Sequence, residues 1–174
     1  MKTKISICIY LIAGQTVLAQ NVTNRLHEID GLIGTWNVVV ETRLSPSGPW
    51  DTSNARSVIK KTTENVAIEE DFIGILKGKS FKTKTLIAFD HFSNKFQQVF
   101  IDSEHGVLVD YEGVKKADTI FFDNTWVYPN KTTVKLRVVY KLFSRNEFTI
   151  ENMRMPENTS IWDITGRRRY VRSS

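Results

Sequence analysis

The side chains best suited to chemistry lie at the two ends of one predicted hairpin. They could ligate a metal or form an acid–base group, and they are Asp90, His91, Asp102, Glu104 and His105. No His-x-His or His-x3-His pair occurs, and a divalent metal needs three or four convergent ligands. Asp90 lies just before a Ser93-Asn94 turn, where aspartate often hydrogen-bonds its own backbone. We therefore expect turn or solvent roles here, with no metal and no cofactor.

A second group of side chains is predicted to face the interior. A carboxylate among aromatic side chains is costly to bury without a partner, and for Asp102 that partner could be Arg137, Arg154 or an arginine of the last strand. Arg137 shares its strand face with Lys135 and Lys141, so exposure is its default. Two interpretations stay open, a buried ion pair that sets strand register and a ligand anchor. The candidate lining residues are Gln98, Phe100, Asp102, Arg137, Phe148 and Asn152.

The acidic run Glu69-Glu70-Asp71 precedes two apolar residues. Strand alternation sends Glu70 to one side and its two neighbours to the other. An exposed strand edge explains this run better than a catalytic carboxylate pair. The nucleophile motif Gly-x-Ser-x-Gly and the phosphate-binding loop are both missing from the sequence, so no particular reaction is indicated.

The elements that must position these residues are predominantly strands. Apolar and polar residues alternate in about ten short segments separated by turn residues, from Trp36–Thr42 to Ser160–Val171, and the clearest is Thr132–Phe143. Only Asn21 to Ile33 has helical spacing, with Leu26, Ile29 and Ile33 on one side. Closure removes exposed strand edges. We therefore predict an all-β fold, a single antiparallel up-and-down barrel of about 8–10 strands with a short N-terminal helix. The alternative architecture is an open sandwich.

The N-terminus is typical of a secretory signal. Lys2 and Lys4 precede the apolar run Ile5–Ala13, and Val17-Leu18-Ala19 offers small residues for cleavage. The apolar run is shorter than the ~20 residues of a membrane-spanning helix. The only cysteine, Cys8, lies inside this run. We predict a signal peptide over residues 1–19, one domain over residues 20–174, a secreted or periplasmic location, and no integral membrane segment after cleavage.

The positive charge of the chain is concentrated at its two ends. The sequence has 24 basic and 19 acidic residues, and two of the lysines fall within residues 1–19. Four more basic residues lie together near the C-terminus, Arg167, Arg168, Arg169 and Arg172. The remainder is close to neutral, whereas a nucleic-acid-binding protein would spread basic residues over one face. We therefore expect no nucleic-acid partner.

The triplet Gly34-Thr35-Trp36 resembles the first-strand signature of the calycin group, which includes lipocalins, fatty-acid-binding proteins and nitrobindins. Phe89-Asp90 before the hairpin and Phe100-Ile101-Asp102 after it extend the similarity to an uncharacterised bacterial calycin-like family, a domain of unknown function. This resemblance implies a barrel and little about activity. Nitrobindins use a histidine late in the barrel for haem, whereas no histidine here follows His105, so haem is disfavoured.

The resemblance also implies a role for Trp36. In calycins a tryptophan at the barrel base packs against a basic residue of the last strand, and Arg168 or Arg169 is the best candidate. We expect a buried indole at the closed end, its ring against that arginine and its N–H bonded to a turn carbonyl. The structural signature is thus Gly34, Trp36, Arg168 and Arg169.

Together these observations predict a barrel that binds a small apolar or amphipathic molecule. The aromatic residues, with 10 Phe, 5 Tyr and 4 Trp, are available to line a pocket. Two alternatives are a barrel enzyme, a hydrolase or isomerase using polar lumen residues such as Asp102, and a filled barrel that acts as an interaction module.

Overall fold

A computed structural model describes residues 25–62, 64–76, 78–104 and 106–174, with only the backbone of Leu76. A 3-10 helix, His27–Leu32, precedes ten strands. The strands are β1 (Gly34–Thr42), β2 (Asp51–Lys61), β3 (Ala67–Leu76), β4 (Lys79–Asp90), β5 (Lys95–Asp102), β6 (Leu108–Lys116), β7 (Thr119–Val127), β8 (Thr133–Ser144), β9 (Glu147–Pro156) and β10 (Asp163–Arg172). No helix in these ranges is long and apolar enough to cross a membrane.

The ten strands form one closed barrel. Each strand pairs antiparallel with the next along the chain, and β1 pairs antiparallel with β10 to complete the ring. The predicted all-β, up-and-down barrel is confirmed. Closure gives every strand two neighbours, so apolar side chains can fill the interior without leaving an unpaired edge.

The N-terminal helix differs from its prediction in type. Residues 21–24 of the predicted span lie outside the described residues. Leu26, Ile29 and Leu32 are buried, while Ile33 is only half-buried. A 3-10 helix has three residues per turn, so positions three apart face inward and Leu32 takes the place expected for Ile33. The helix covers the end of the barrel where β1 begins, which we call the closed end.

The hydrophobic core is concentrated at this closed end. Phe148 stacks on Tyr170 with ring centroids 4.2 Å apart, and Trp36 meets Phe148 edge-on at 4.8 Å. Phe96 and Phe122 are also fully buried. The opposite end, which we call the mouth, carries the five turns that join β1 to β2, β3 to β4, β5 to β6, β7 to β8 and β9 to β10.

One seam of the barrel is incompletely paired. The ladder between β6 and β7 joins only Glu112–Lys116 to Thr119–Asp123. Nearer the mouth the two strands separate, and the Asn124 side-chain amide donates across the gap to the backbone carbonyl of Asp110.

Candidate functional site

Trp36 is the centre of the closed end. Its indole is fully buried, and its N–H donates to the Leu32 carbonyl at 2.9 Å. The guanidinium carbon of Arg172 lies 4.4 Å from the ring centroid, and Arg172 also donates to the Ile33 carbonyl at 3.2 Å. A Cβ on Gly34 would lie 2.2 Å from Arg172 Nη1. A side chain at this position would therefore push the Arg172 guanidinium away from the backbone of β1.

The expected burial and carbonyl contact of Trp36 are confirmed, but the expected arginine was wrong. The register pairs Trp36 with Arg172, so this arginine is its direct cross-strand neighbour. Arg168 pairs with Val40, farther along the barrel. Arg169 points outward, where its Nε donates to Glu147 at 2.7 Å.

A polar cluster occupies the barrel interior beyond this core. Glu70 is buried, and its Oε1 accepts hydrogen bonds from Ser57 Oγ at 2.7 Å and Tyr170 Oη at 2.9 Å. The exposed role expected for Glu70 was therefore wrong, since β3 has neighbours on both sides in the closed barrel. The predicted alternation of side chains is observed for Glu69 and Asp71, which face outward and form ion pairs with lysines. Lys60 Nζ lies 3.0 Å from Glu69 Oε1.

Arg168 is the cationic member of this cluster. Its guanidinium carbon lies 5.1 Å from the Phe72 ring centroid, and its side chain interacts with Tyr170 and Glu70. Desolvation on its own would lower the pKa of Arg168, but the interactions with Tyr170 and Glu70 outweigh it and raise this pKa. The guanidinium is therefore a permanent positive charge in the lumen.

Tyrosine hydroxyls supply neutral donors around this charge. Burial, followed by the nearby Glu70 carboxylate, raises the pKa of both Tyr140 and Tyr170 above the ordinary tyrosine value. Burial also raises the pKa of Tyr111. All three phenols are protonated at neutral pH, so each can donate one hydrogen bond.

Two cavities meet at Arg168. The larger has a volume of about 230 Å³ and is lined by Thr85, Gln98, Phe100, Tyr111, Asn152 and Arg168, among others. The smaller, about 120 Å³, adds the apolar side chains of Val40, Phe72 and Phe81 and shares Asn152 and Arg168 with the first. Gln98 Oε1 is buried and has no hydrogen-bond partner among the described residues. The lumen thus combines an apolar wall, the Arg168 cation and an unsatisfied acceptor.

A larger cleft of about 720 Å³ lies on the outer face beside the β6–β7 gap. Four of its charged groups already pair, Lys95 with Glu112 and Arg137 with Asp123, the latter at 2.6 and 2.8 Å. Such paired surface charges offer little to a ligand. The lumen is therefore the stronger candidate despite its smaller volume.

Comparison with known proteins identifies the family. Residues 23–172 match the family described as "Protein of unknown function (DUF1579)". The chain belongs to this family. No curated protein matched it.

Solved structures similar to this DUF1579 chain are also barrels. The S-type phycobiliprotein lyase CPES from Guillardia theta has 8% sequence identity and a TM-score of 0.55, covering 91% of this chain and 97% of its own. A redesigned β-barrel has 16% identity and a TM-score of 0.44, with 83% and 94% covered. At such identities the lyase similarity supports the fold alone.

The DUF1579 chain brings four of the six predicted lining residues to the larger cavity, namely Gln98, Phe100, Arg137 and Asn152. Phe148 faces inward but belongs to the closed-end core. Asp102 ends β5 near the mouth, where its Oδ1 accepts from the Glu104 N–H at 2.8 Å.

Arg137 borders both the larger lumen cavity and the outer cleft, but its charged group pairs on the outer side. Its side chain lies on the outer face, paired with Asp123 and 4.5 Å from the Trp162 ring centroid. Alternation explains this, because its neighbours Leu136 and Val138 take the inward positions on β8. This is the exposure that Lys135 and Lys141 on the same face had indicated.

Sequence reasoning missed five polar members of the lumen cluster, Ser57, Glu70, Tyr111, Tyr140 and Tyr170. A signal was present for two of them. Glu70 alternates with the apolar Ile68 and Phe72 in the sequence, and Tyr170 is two residues from Arg168. Alternate positions share one face of a strand, so both residues could have been placed beside inward neighbours.

Proposed function

We propose that this protein is a calycin-like carrier that holds one small amphipathic molecule inside its barrel. The larger lumen cavity carries this proposal, because it is bordered by the half-buried Arg168 and by Gln98 Oε1, which lacks a partner among the described residues. An unsatisfied buried acceptor is costly. A ligand donor or an ordered water satisfies it.

The chemistry of the two cavities indicates the ligand class. Glu70 Oε1 is already engaged by Ser57 and Tyr170, and no carboxylate of the described residues forms an ion pair with Arg168. Arg168 can therefore receive the anionic head of a ligand, where a guanidinium binds a carboxylate through two parallel hydrogen bonds. Phe72, Phe81 and Val40 provide the apolar wall for its hydrocarbon part. The two cavities together lie near the lower end of the usual range of about 300–1,000 Å³.

The cellular setting is part of the proposal. The basic and apolar pattern of residues 1–19 supports a cleaved signal peptide and a secreted or periplasmic location. N-terminal sequencing of exported protein would find Gln20 as its first residue, and an intact Met1 would contradict cleavage. The Gly34, Trp36 and Arg172 arrangement supports the calycin relationship.

Decanoate binding measured by calorimetry tests the proposed site. Arg168→Met keeps most of the side-chain volume and removes the charge, so we expect affinity to fall about tenfold or more. Arg169→Met is the matched control, since it is the next residue of the same strand and lies outside, against Glu147. Its decanoate affinity should match wild type. Absence of decanoate binding to wild type, or equal affinity in both variants, would contradict the proposed site.

A further inference from the structure

The mouth of the barrel is ringed by exposed aliphatic side chains. Each of the five hairpins that turn at this end contributes one that is at least 56% exposed. They are Leu44, Ile75, Leu108, Val127 and Ile161. Two lie in turns and three at the adjoining strand ends, and because they come from five separate hairpins they surround the opening of the lumen rather than forming one patch on the barrel wall.

Aromatic residues with a polar edge are found at the same end. Three of the four tryptophans lie in the mouth turns or at the strand ends beside them, and Tyr128 follows β7 and is exposed. The three are Trp50, Trp126 and Trp162. Arg43 and Arg167 hold the Trp50 ring, with guanidinium carbons 4.6 and 4.9 Å from its centroid. Tryptophan and tyrosine are the residues enriched at the boundary between lipid and water.

The mouth has little net charge. The described residues of the mouth loops, at 43–50, 78, 103–104, 106–107, 128–132 and 157–162, include two basic and two acidic ones. A polyanion such as a nucleic acid would find no concentrated positive field there. A neutral lipid surface requires none, because apolar burial drives its binding.

We propose that the mouth docks on the surface of a zwitterionic lipid bilayer, from which the lumen receives its amphipathic ligand. This inference rests on the proposed function. A bilayer interface accepts apolar side chains one at a time, so side chains on separate hairpins can all insert. A stable protein interface instead needs a continuous area of about 800 Å² on each partner.

Flotation with phosphatidylcholine vesicles tests the docking. Wild type should float with the vesicles, and the double variant Leu44→Ser, Ile161→Ser should bind at least about tenfold more weakly, because two exposed side chains no longer insert. Both positions lie in loops outside the strands, so the fold should persist, as circular dichroism would verify. The matched control is Val66→Ser, Phe92→Ser, which removes two apolar side chains, 54% and 95% exposed, from the closed end. This control should float like wild type.

Decanoate affinity in solution separates this inference from the proposed function. The mouth variant should keep wild-type affinity for free decanoate while losing vesicle binding. Failure of wild type to float, or equal losses in both double variants, would overturn docking even if decanoate binds. Wild type that elutes as a dimer, with monomer restored by the mouth variant, would instead identify a second copy of the chain as the occupant and overturn the bilayer.

Discussion

Gly34, Trp36 and Arg172 act as one unit at the scale of single residues. Arg172 spans from the indole face to the backbone carbonyls of Ile33 and Arg145, with donor distances of 3.2 and 2.8 Å. It therefore ties the start of β1 to the β8–β9 turn as well as covering Trp36. Cation–π contact and packing of the arginine stem both contribute.

Replacement of these two side chains should destabilise the fold to different degrees. Trp36→Ala should lower the free energy of unfolding by about 3–5 kcal/mol, as a large-to-small core change. Arg172→Ala should cost less than that, yet more than Arg169→Ala, an exposed ion-pair residue expected to cost at most about 1 kcal/mol. Urea unfolding measures all three. If Arg172→Ala cost no more than Arg169→Ala, the tie between the first strand and the last would have no energetic role.

The cluster around Glu70 shows how the interior tolerates a carboxylate. Ser57 and Tyr170 both donate to Oε1, and Arg168 contributes a favourable charge without a direct ion pair among the described residues. Hydrogen bonds to a charged group offset much of its desolvation cost. Because Arg168 forms no ion pair among the described residues, its guanidinium can still donate hydrogen bonds to the anionic head of the proposed ligand.

At the scale of elements, the sequence predicted the strands well because their apolar periodicity is local. The predicted strand Thr132–Phe143 and the observed β8 (Thr133–Ser144) differ by one residue at each end. The β6–β7 seam could not be predicted in this way. The alternation of polar and apolar residues continues beyond Glu112 in β6 and Asp123 in β7, so the sequence does not mark where the pairing ends. The pairing ends there because the two strands separate.

Gly113 is critical to the paired part of that seam. A Cβ there would lie 2.5 and 2.6 Å from ring atoms of the fully buried Phe122 and 3.1 Å from the Phe121 carbonyl oxygen. Gly113→Ala should therefore destabilise the protein by about 1–3 kcal/mol through overpacking. Gly31→Ala is the control, because no heavy atom lies within 4 Å of its added Cβ. Thermal unfolding should separate the two variants, and similar midpoints would show that β6 can shift to accept the methyl group.

At the scale of the whole molecule, buried tyrosines make stability sensitive to alkali. Burial raises the pKa of Tyr111, Tyr140 and Tyr170 in the folded state, whereas tyrosine in the unfolded chain titrates near pH ~10. The folded protein retains protons that the unfolded chain releases. Stability is thus fully present below about pH 10 and falls as the pH rises further, by up to about 1.4 kcal/mol per pH unit for each tyrosine.

Urea unfolding between about pH 8 and pH 11 tests this dependence. Tyr140→Phe should make the unfolding free energy fall less steeply as the pH rises, by the contribution of one tyrosine. The variant lacks one phenol that keeps its proton in the folded state. The same substitution at the exposed Tyr128 serves as the control. An unfolding free energy that stays constant above pH ~10 would contradict the protonated state assigned to the buried phenols.

The sequence alone determined the strands and the barrel class, because turn residues and alternating polarity act over a few neighbouring positions. Only the tertiary structure decided which arginine reaches which ring. Trp36 and Arg172 are far apart in the chain and meet through the β1–β10 register. A shift of that register by four residues would bring Arg168 to the tryptophan without changing any local pattern. Closure of the ring sets this register, and it leaves Arg168 beside Glu70 in the lumen.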